Sequence, residues 1–89
     1  MLTSQNKEWG FWGAVVNNTG CNGETAQAIW DDVVFELIHD YGFTAPQAVQ
    51  FLDSRTGRHI ADAMTEGDTI TRDLPAWAET SMRHFFKNA

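Results

Sequence analysis

Glu24-Thr25-Ala26-Gln27-Ala28-Ile29-Trp30-Asp31-Asp32-Val33-Val34-Phe35-Glu36-Leu37-Ile38-His39-Asp40-Tyr41 is the stretch whose reading decides the fold. Its apolar residues Ala26, Ile29, Trp30, Val33, Val34, Leu37, Ile38 and Tyr41 recur at i, i+3, i+4 and i+7. That spacing lines one face of an α-helix; a strand would need a period of two. Glu24 stands near the positive end of the helix dipole, and Gly42 supplies the stop. Asp31, Asp32, Glu36 and Asp40 fall off the stripe and form an acidic outer surface. Phe35 falls off it too, so it either makes a second contact or faces a partner.

Toward the C-terminus, Thr44-Ala45-Pro46-Gln47 reads as a helix start. Thr44 is the N-cap, Gln47 completes a capping box, and Pro46 falls in the first turn, where its missing N–H costs nothing. Ala48, Val49, Phe51 and Leu52 are the apolar positions, and Thr56-Gly57 reads as the stop. A third, shorter helix is expected from Arg58 to about Thr65, with Ile60, Ala61 and Met64 inward. Residues 65–72 read as a loop. Asp73 is expected to cap a last helix with Pro75 in its first turn. Leu74, Trp77, Ala78, Ser81, Met82 and Phe85 make its inner stripe, and Arg83, His84 and Lys87 suit its negative pole.

Toward the N-terminus, Asn17-Asn18-Thr19-Gly20-Cys21-Asn22-Gly23 is a cluster of turn-forming residues. Before it, Trp9-Gly10-Phe11-Trp12-Gly13-Ala14-Val15-Val16 is aromatic and apolar throughout. A short helix is expected there, with an extended segment as the alternative, because each glycine weakens a helix by about 1 kcal/mol relative to alanine. In either form it covers the core. Residues 1–8 are polar, lack an apolar signal core and read as a frayed end.

The whole chain of 89 residues has room for one small domain. At 43% hydrophobic it carries enough apolar surface to offset chain entropy, which excludes a disordered chain. No stretch alternates convincingly enough to make a strand. The expected fold is a single all-α domain: a small helical bundle of about four helices, one long and about three shorter, around an aromatic core. The net charge of −6 disfavours nucleic acid, whose phosphates need clustered Lys and Arg, and suits a basic partner. One cysteine allows no intramolecular disulfide. No apolar run approaches the roughly 20 residues that span a bilayer, so no membrane association and a cytoplasmic location are expected.

Few residues offer chemistry. His39, His59, His84 and Cys21 show no zinc-site spacing, so no metal is expected. Cys21 precedes Asn22, Gly23 and Glu24, which give no electropositive setting for a thiolate. Asp31 and Asp32 are adjacent on a helix and diverge by about 100°. There is no glycine loop for phosphate. The expectation is a protein that is not an enzyme and uses no cofactor.

The polar feature that stands out lies in Phe51-Leu52-Asp53-Ser54-Arg55-Thr56-Gly57-Arg58-His59-Ile60-Ala61-Asp62-Ala63-Met64. On the structural reading, Asp53, Arg58 and Asp62, with Arg55, clamp the turn between two helices, Arg58 pairing with Asp62 at i, i+4. On that reading Arg58 is the structural arginine and Arg55 the exposed one. On the functional reading, Arg55, Arg58 and His59 bind a partner. A third reading takes residues 45–65 as a helix-turn-helix of a small DNA-associated regulator, against which the shortage of surrounding Lys and Arg counts.

Asp53-Ser54-Arg55-Thr56-Gly57-Arg58-His59-Ile60-Ala61-Asp62, after the Gly10-Phe11-Trp12-Gly13 stretch, resembles small proteins encoded on plasmids and phages that share an Asp-Ser-Arg-x-Gly-Arg-His-x-Ala-Asp core. The likeness covers that core and the glycine-aromatic stretch, and it brings no catalytic residue. It implies an accessory role on mobile DNA, of the kind small acidic proteins play by binding host factors, including defence nucleases. The function expected is therefore that of a non-catalytic acidic interaction protein, binding a protein partner through Arg55, Arg58, His59 and Phe35. A homodimer is also expected, since Phe35 is off the stripe and Phe85 and Phe86 are not expected to share one core.

Overall fold

The computed structural model describes residues 4–5, 9–66, 70–71 and 73–88. Five helices run through them: α1 (Phe11–Thr19), α2 (Gly23–Tyr41), α3 (Ala45–Leu52), α4 (Arg55–Met64) and α5 (Ala78–Asn88). There is no strand among the described residues. The domain is all-α, as the apolar spacing predicts, with five helices where about four are expected.

Local chemistry explains most of the ends. Asn22 caps α2 by accepting from the backbone N–H of Thr25 at 2.8 Å, and Gly42 ends it in the left-handed region at φ 77. The capping box of α3 is complete: Gln47 N donates to Thr44 Oγ1 at 3.3 Å and Thr44 N donates to Gln47 Oε1 at 3.0 Å. The glycine-aromatic stretch is helical and runs on through Asn17, Asn18 and Thr19, which the sequence marks as turn. Thr19 Oγ1 donates back to Val15 O at 2.7 Å, and the helix stops only at Gly20, with φ 69.

Two boundaries correct the sequence reading. α3 ends at Leu52, and α4 starts at Arg55 with Ser54 as its N-cap, whose side chain accepts from Gly57 N at 3.3 Å. Gly57 is therefore no stop. It sits buried in the first turn of α4, where a Cβ would lie 2.0 Å from Leu52 O and 2.4 Å from Leu52 C. The residue is needed for close approach of two helices, not for a turn. The second correction concerns α5, which begins at Ala78 rather than at an Asp73 cap; Ala78 N bonds Pro75 O at 3.0 Å. Trp77, expected on the inner stripe, is 44% exposed. Ala78 and Met82 are buried as expected.

α1 packs against α4 and α2, α2 against α3, and α3 against α4. Trp30, Phe11, Phe51, Ile29, Leu37, Leu52 and Ile60 are the largest side chains removed from water. Each such burial contributes about 1.5–3 kcal/mol. Phe11 meets Trp30 at a ring separation of 6.3 Å, which joins α1 to α2. At the other end Phe43 lies 5.7 Å from Phe85 and 4.6 Å from Phe86, so both C-terminal rings reach one core residue. Phe85 packs against the core, whereas Phe86 is 39% exposed, so the two rings do not share one core.

Candidate functional site

The break between α3 and α4 brings the central polar residues to the surface. With α4 starting at Arg55, the exposed positions of its first turns are Arg55, Arg58 and His59, while Gly57, Ile60, Ala61 and Met64 face inward. Trp9 comes in from before α1 and is 63% exposed. The Arg58 guanidinium carbon lies 5.4 Å from the centroid of the Trp9 ring. Trp9, Asp53, Arg55 and Arg58 line a depression of about 250 Å³.

The expected clamp is built differently. No ion pair joins Arg58 to Asp62 among the described residues. Asp62 Oδ1 instead accepts from Asn18 Nδ2 at 2.7 Å, and the same amide reaches Thr65 Oγ1 at 3.1 Å. Thr65 in turn donates to Ala61 O at 2.7 Å. Asp62 thus ties the end of α1 to the end of α4, a contact the i, i+4 reading could not show. Asp53 also ties, but to the N-terminal segment: Ser4 Oγ donates to Oδ1 at 2.5 Å and Gln5 N to Oδ2 at 2.7 Å. Of the expected frayed end, Ser4 and Gln5 are described and anchored; residues 1–3 and 6–8 lie outside the described residues. Arg58, expected to be the buried structural arginine, is exposed.

A pair of substitutions separates the two tethers. Asp53→Ala removes two charge-assisted hydrogen bonds, one to the buried Ser4, and should cost about 1–3 kcal/mol. Arg58→Ala removes an exposed cation–π contact and should cost only about 0.5–1 kcal/mol. Urea unfolding of both variants reads the difference directly. Equal losses would return Arg58 to the structural role.

Phe35 stands elsewhere, 63% exposed on α2, with its ring 4.0 Å from that of His39. It shares no described contact with Arg55, Arg58 or His59. Glu36 and Asp40 of α2 lie near Asp73 and, around Tyr41, near Glu79 of α5. Burial, then the charges of Asp40 and Asp73, raise Glu36 above the usual carboxylate value. Burial, then Glu36, Glu79 and Asp40, raise Tyr41 in the same way. Folding therefore favours protonated Glu36, and its contribution to stability fades as pH rises through its raised value.

A larger cleft of about 720 Å³ is lined by Gln47, Gln50, Thr56, Ser81, His84 and Phe85 among others. Phe51, Ser54 and Thr56 of the central stretch line it, but Arg55, Arg58, His59 and Phe35 do not. No group of three His, Cys, Asp or Glu among the described residues could hold a metal ion. Cys21 is a free, half-buried thiol whose backbone N–H bonds Thr19 Oγ1 at 3.1 Å. No described helix is long and apolar enough to cross a membrane. No protein-family model matches the chain, and comparison with curated proteins and with solved structures yields no match.

Proposed function

We propose that the chain is a non-catalytic interaction protein that binds and modulates a protein partner through Arg55, Arg58 and His59, with Phe35 as a separate contact on α2. One observation carries this reading. Within the central stretch, Asp53, Ser54, Gly57, Ala61 and Asp62 are all used by the fold, while Arg55, Arg58 and His59 are exposed. In a chain with twelve acidic residues against six Lys and Arg, an exposed arginine would readily find a carboxylate to pair with. Among the described residues neither Arg55 nor Arg58 meets one.

The resemblance to plasmid- and phage-borne proteins supports a partner on the side of the host cell, such as a defence factor. A second reading, a DNA-associated regulator, draws support from α3 and α4 following one another across two residues, Asp53 and Ser54. The acidic surface opposes it.

Arg55→Ala should weaken partner binding while the melting temperature stays nearly unchanged, since the side chain is exposed and makes no described contact. The partner is to be recovered with the wild-type chain and its affinity compared across Arg55→Ala, His59→Ala and Phe35→Ser. Undiminished binding by all three removes the proposal. Salt-dependent binding to duplex DNA, lost with Arg55 and Arg58, would favour the second reading.

A further inference from the structure

We infer that the Trp9–Arg55–Arg58 depression is the seat for an isolated carboxylate side chain on a segment of the partner chain, with an adjacent apolar side chain laid against Trp9. The inference rests on the partner-binding reading above and names the chemistry recognised.

The donors come first. Arg55 and Arg58 are three residues apart on α4 and so project from the same side of the helix, and both line the depression. Guanidinium donors form a planar fork that matches an oxyanion. Holding Arg58 over the Trp9 ring restricts its side chain before any ligand arrives, so less rotamer freedom is lost on binding. Arg55 is the first residue of a ten-residue helix, and the positive end of its dipole adds to the same potential.

The surroundings then limit what the anion is. A volume of about 250 Å³ is below the range of pockets that hold whole small molecules and suits one side-chain head. Asp53 also lines the depression, but both of its oxygens are engaged by Ser4 and Gln5. The protein as a whole carries a net charge of −6. A polyanion such as a nucleic acid would bring several phosphates against that field to gain two arginines. A segment with an isolated carboxylate meets the two arginines without that cost. Trp9 is 63% exposed, so much of the indole remains open beside the anion position, and an indole surface stacks aromatic or aliphatic groups.

The test uses the full chain, labelled with nitrogen-15, and four probes: the capped peptides acetyl-Phe-Glu-Gly-amide and acetyl-Phe-Gln-Gly-amide, inorganic phosphate, and oligothymidylate. The glutamate peptide should shift the Trp9 indole and the Arg55 and Arg58 side-chain N–H signals. Its affinity should fall about tenfold or more in Arg55→Gln and in Arg58→Gln, the loss of one charge-assisted pairing. Both variants should keep the wild-type helical circular dichroism. Equal binding of the glutamine peptide, tighter binding of phosphate or oligothymidylate, or unchanged affinity in both variants overturns the inference. If the partner's binding depends on Arg55 while the glutamate peptide shifts nothing, this inference fails and the proposed function stands. If the peptide binds as expected but the partner ignores Arg55, the proposed function fails instead.

Discussion

Gly57→Ala should destabilise the domain by about 3 kcal/mol or more, the upper range for a side chain forced into a filled space. The added Cβ would sit 2.0 Å from Leu52 O, 2.4 Å from its carbonyl carbon and 2.6 Å from its Cα. All three are backbone atoms, so no side chain can rotate away to make room. Relief requires moving the end of α3 from the start of α4, which disturbs Ser54, whose hydroxyl donates to Phe51 O at 2.5 Å and accepts from Gly57 N. Helix propensity argues the other way: in a helix, glycine to alanine is ordinarily worth about 1 kcal/mol of added stability. The two effects have opposite signs, so urea unfolding of one variant decides between them. A variant as stable as the wild type would mean that α3 and α4 are not so closely apposed.

Leu37→Asp should leave no cooperatively folded domain. Leu37 is 0% exposed, in the C-terminal half of α2. The substitution forfeits about 1.5–3 kcal/mol of apolar burial and places a carboxylate where its desolvation costs several kcal/mol more. A domain of this length holds only roughly 4–13 kcal/mol in total, at 0.05–0.15 kcal/mol per residue. Val33→Asp, at a site 1% exposed, should behave alike. Phe35→Asp is the internal control, two residues from Leu37 on the same helix but 63% exposed, and should change stability by about 0.5 kcal/mol or less. Thermal melts followed by circular dichroism at the helical band compare all three. A cooperative melt from Leu37→Asp would take α2 out of the core.

The features legible in the sequence are those written in neighbouring residues. The apolar stripe of α2 and the Thr44–Gln47 capping box are local patterns, and the structure shows both. The misread places share a different cause. Asn18 looks like a turn former, but its amide bonds Asp62 and Thr65, 44 and 47 residues away. Gly57 looks like a helix stop because its real neighbour, the backbone of Leu52, belongs to another helix. Asp53 and Asp62 stand beside arginines in the sequence, whereas Ser4, Gln5 and Asn18 bond them in the fold. Trp9 gave no sign of joining the arginine face, since the 49-residue separation from Arg58 hides the contact. Residues 67–69 and 72 of the expected loop lie outside the described residues.

The packing of α1 on α4 also sets an order of events during synthesis. Phe11 and Val15 of α1 are fully buried, and α1 packs against a helix that begins at Arg55. The ties that pin this closure span 44 residues from Asn18 to Asp62 and 49 from Ser4 to Asp53. A nascent chain that has emerged only as far as α3 therefore holds α1 with one of its two partners missing and its apolar face open to water. Such contacts, distant in sequence, slow a helical domain relative to bundles whose helices meet only their chain neighbours. Until α4 leaves the ribosome, the apolar face of α1 is left open to aggregation.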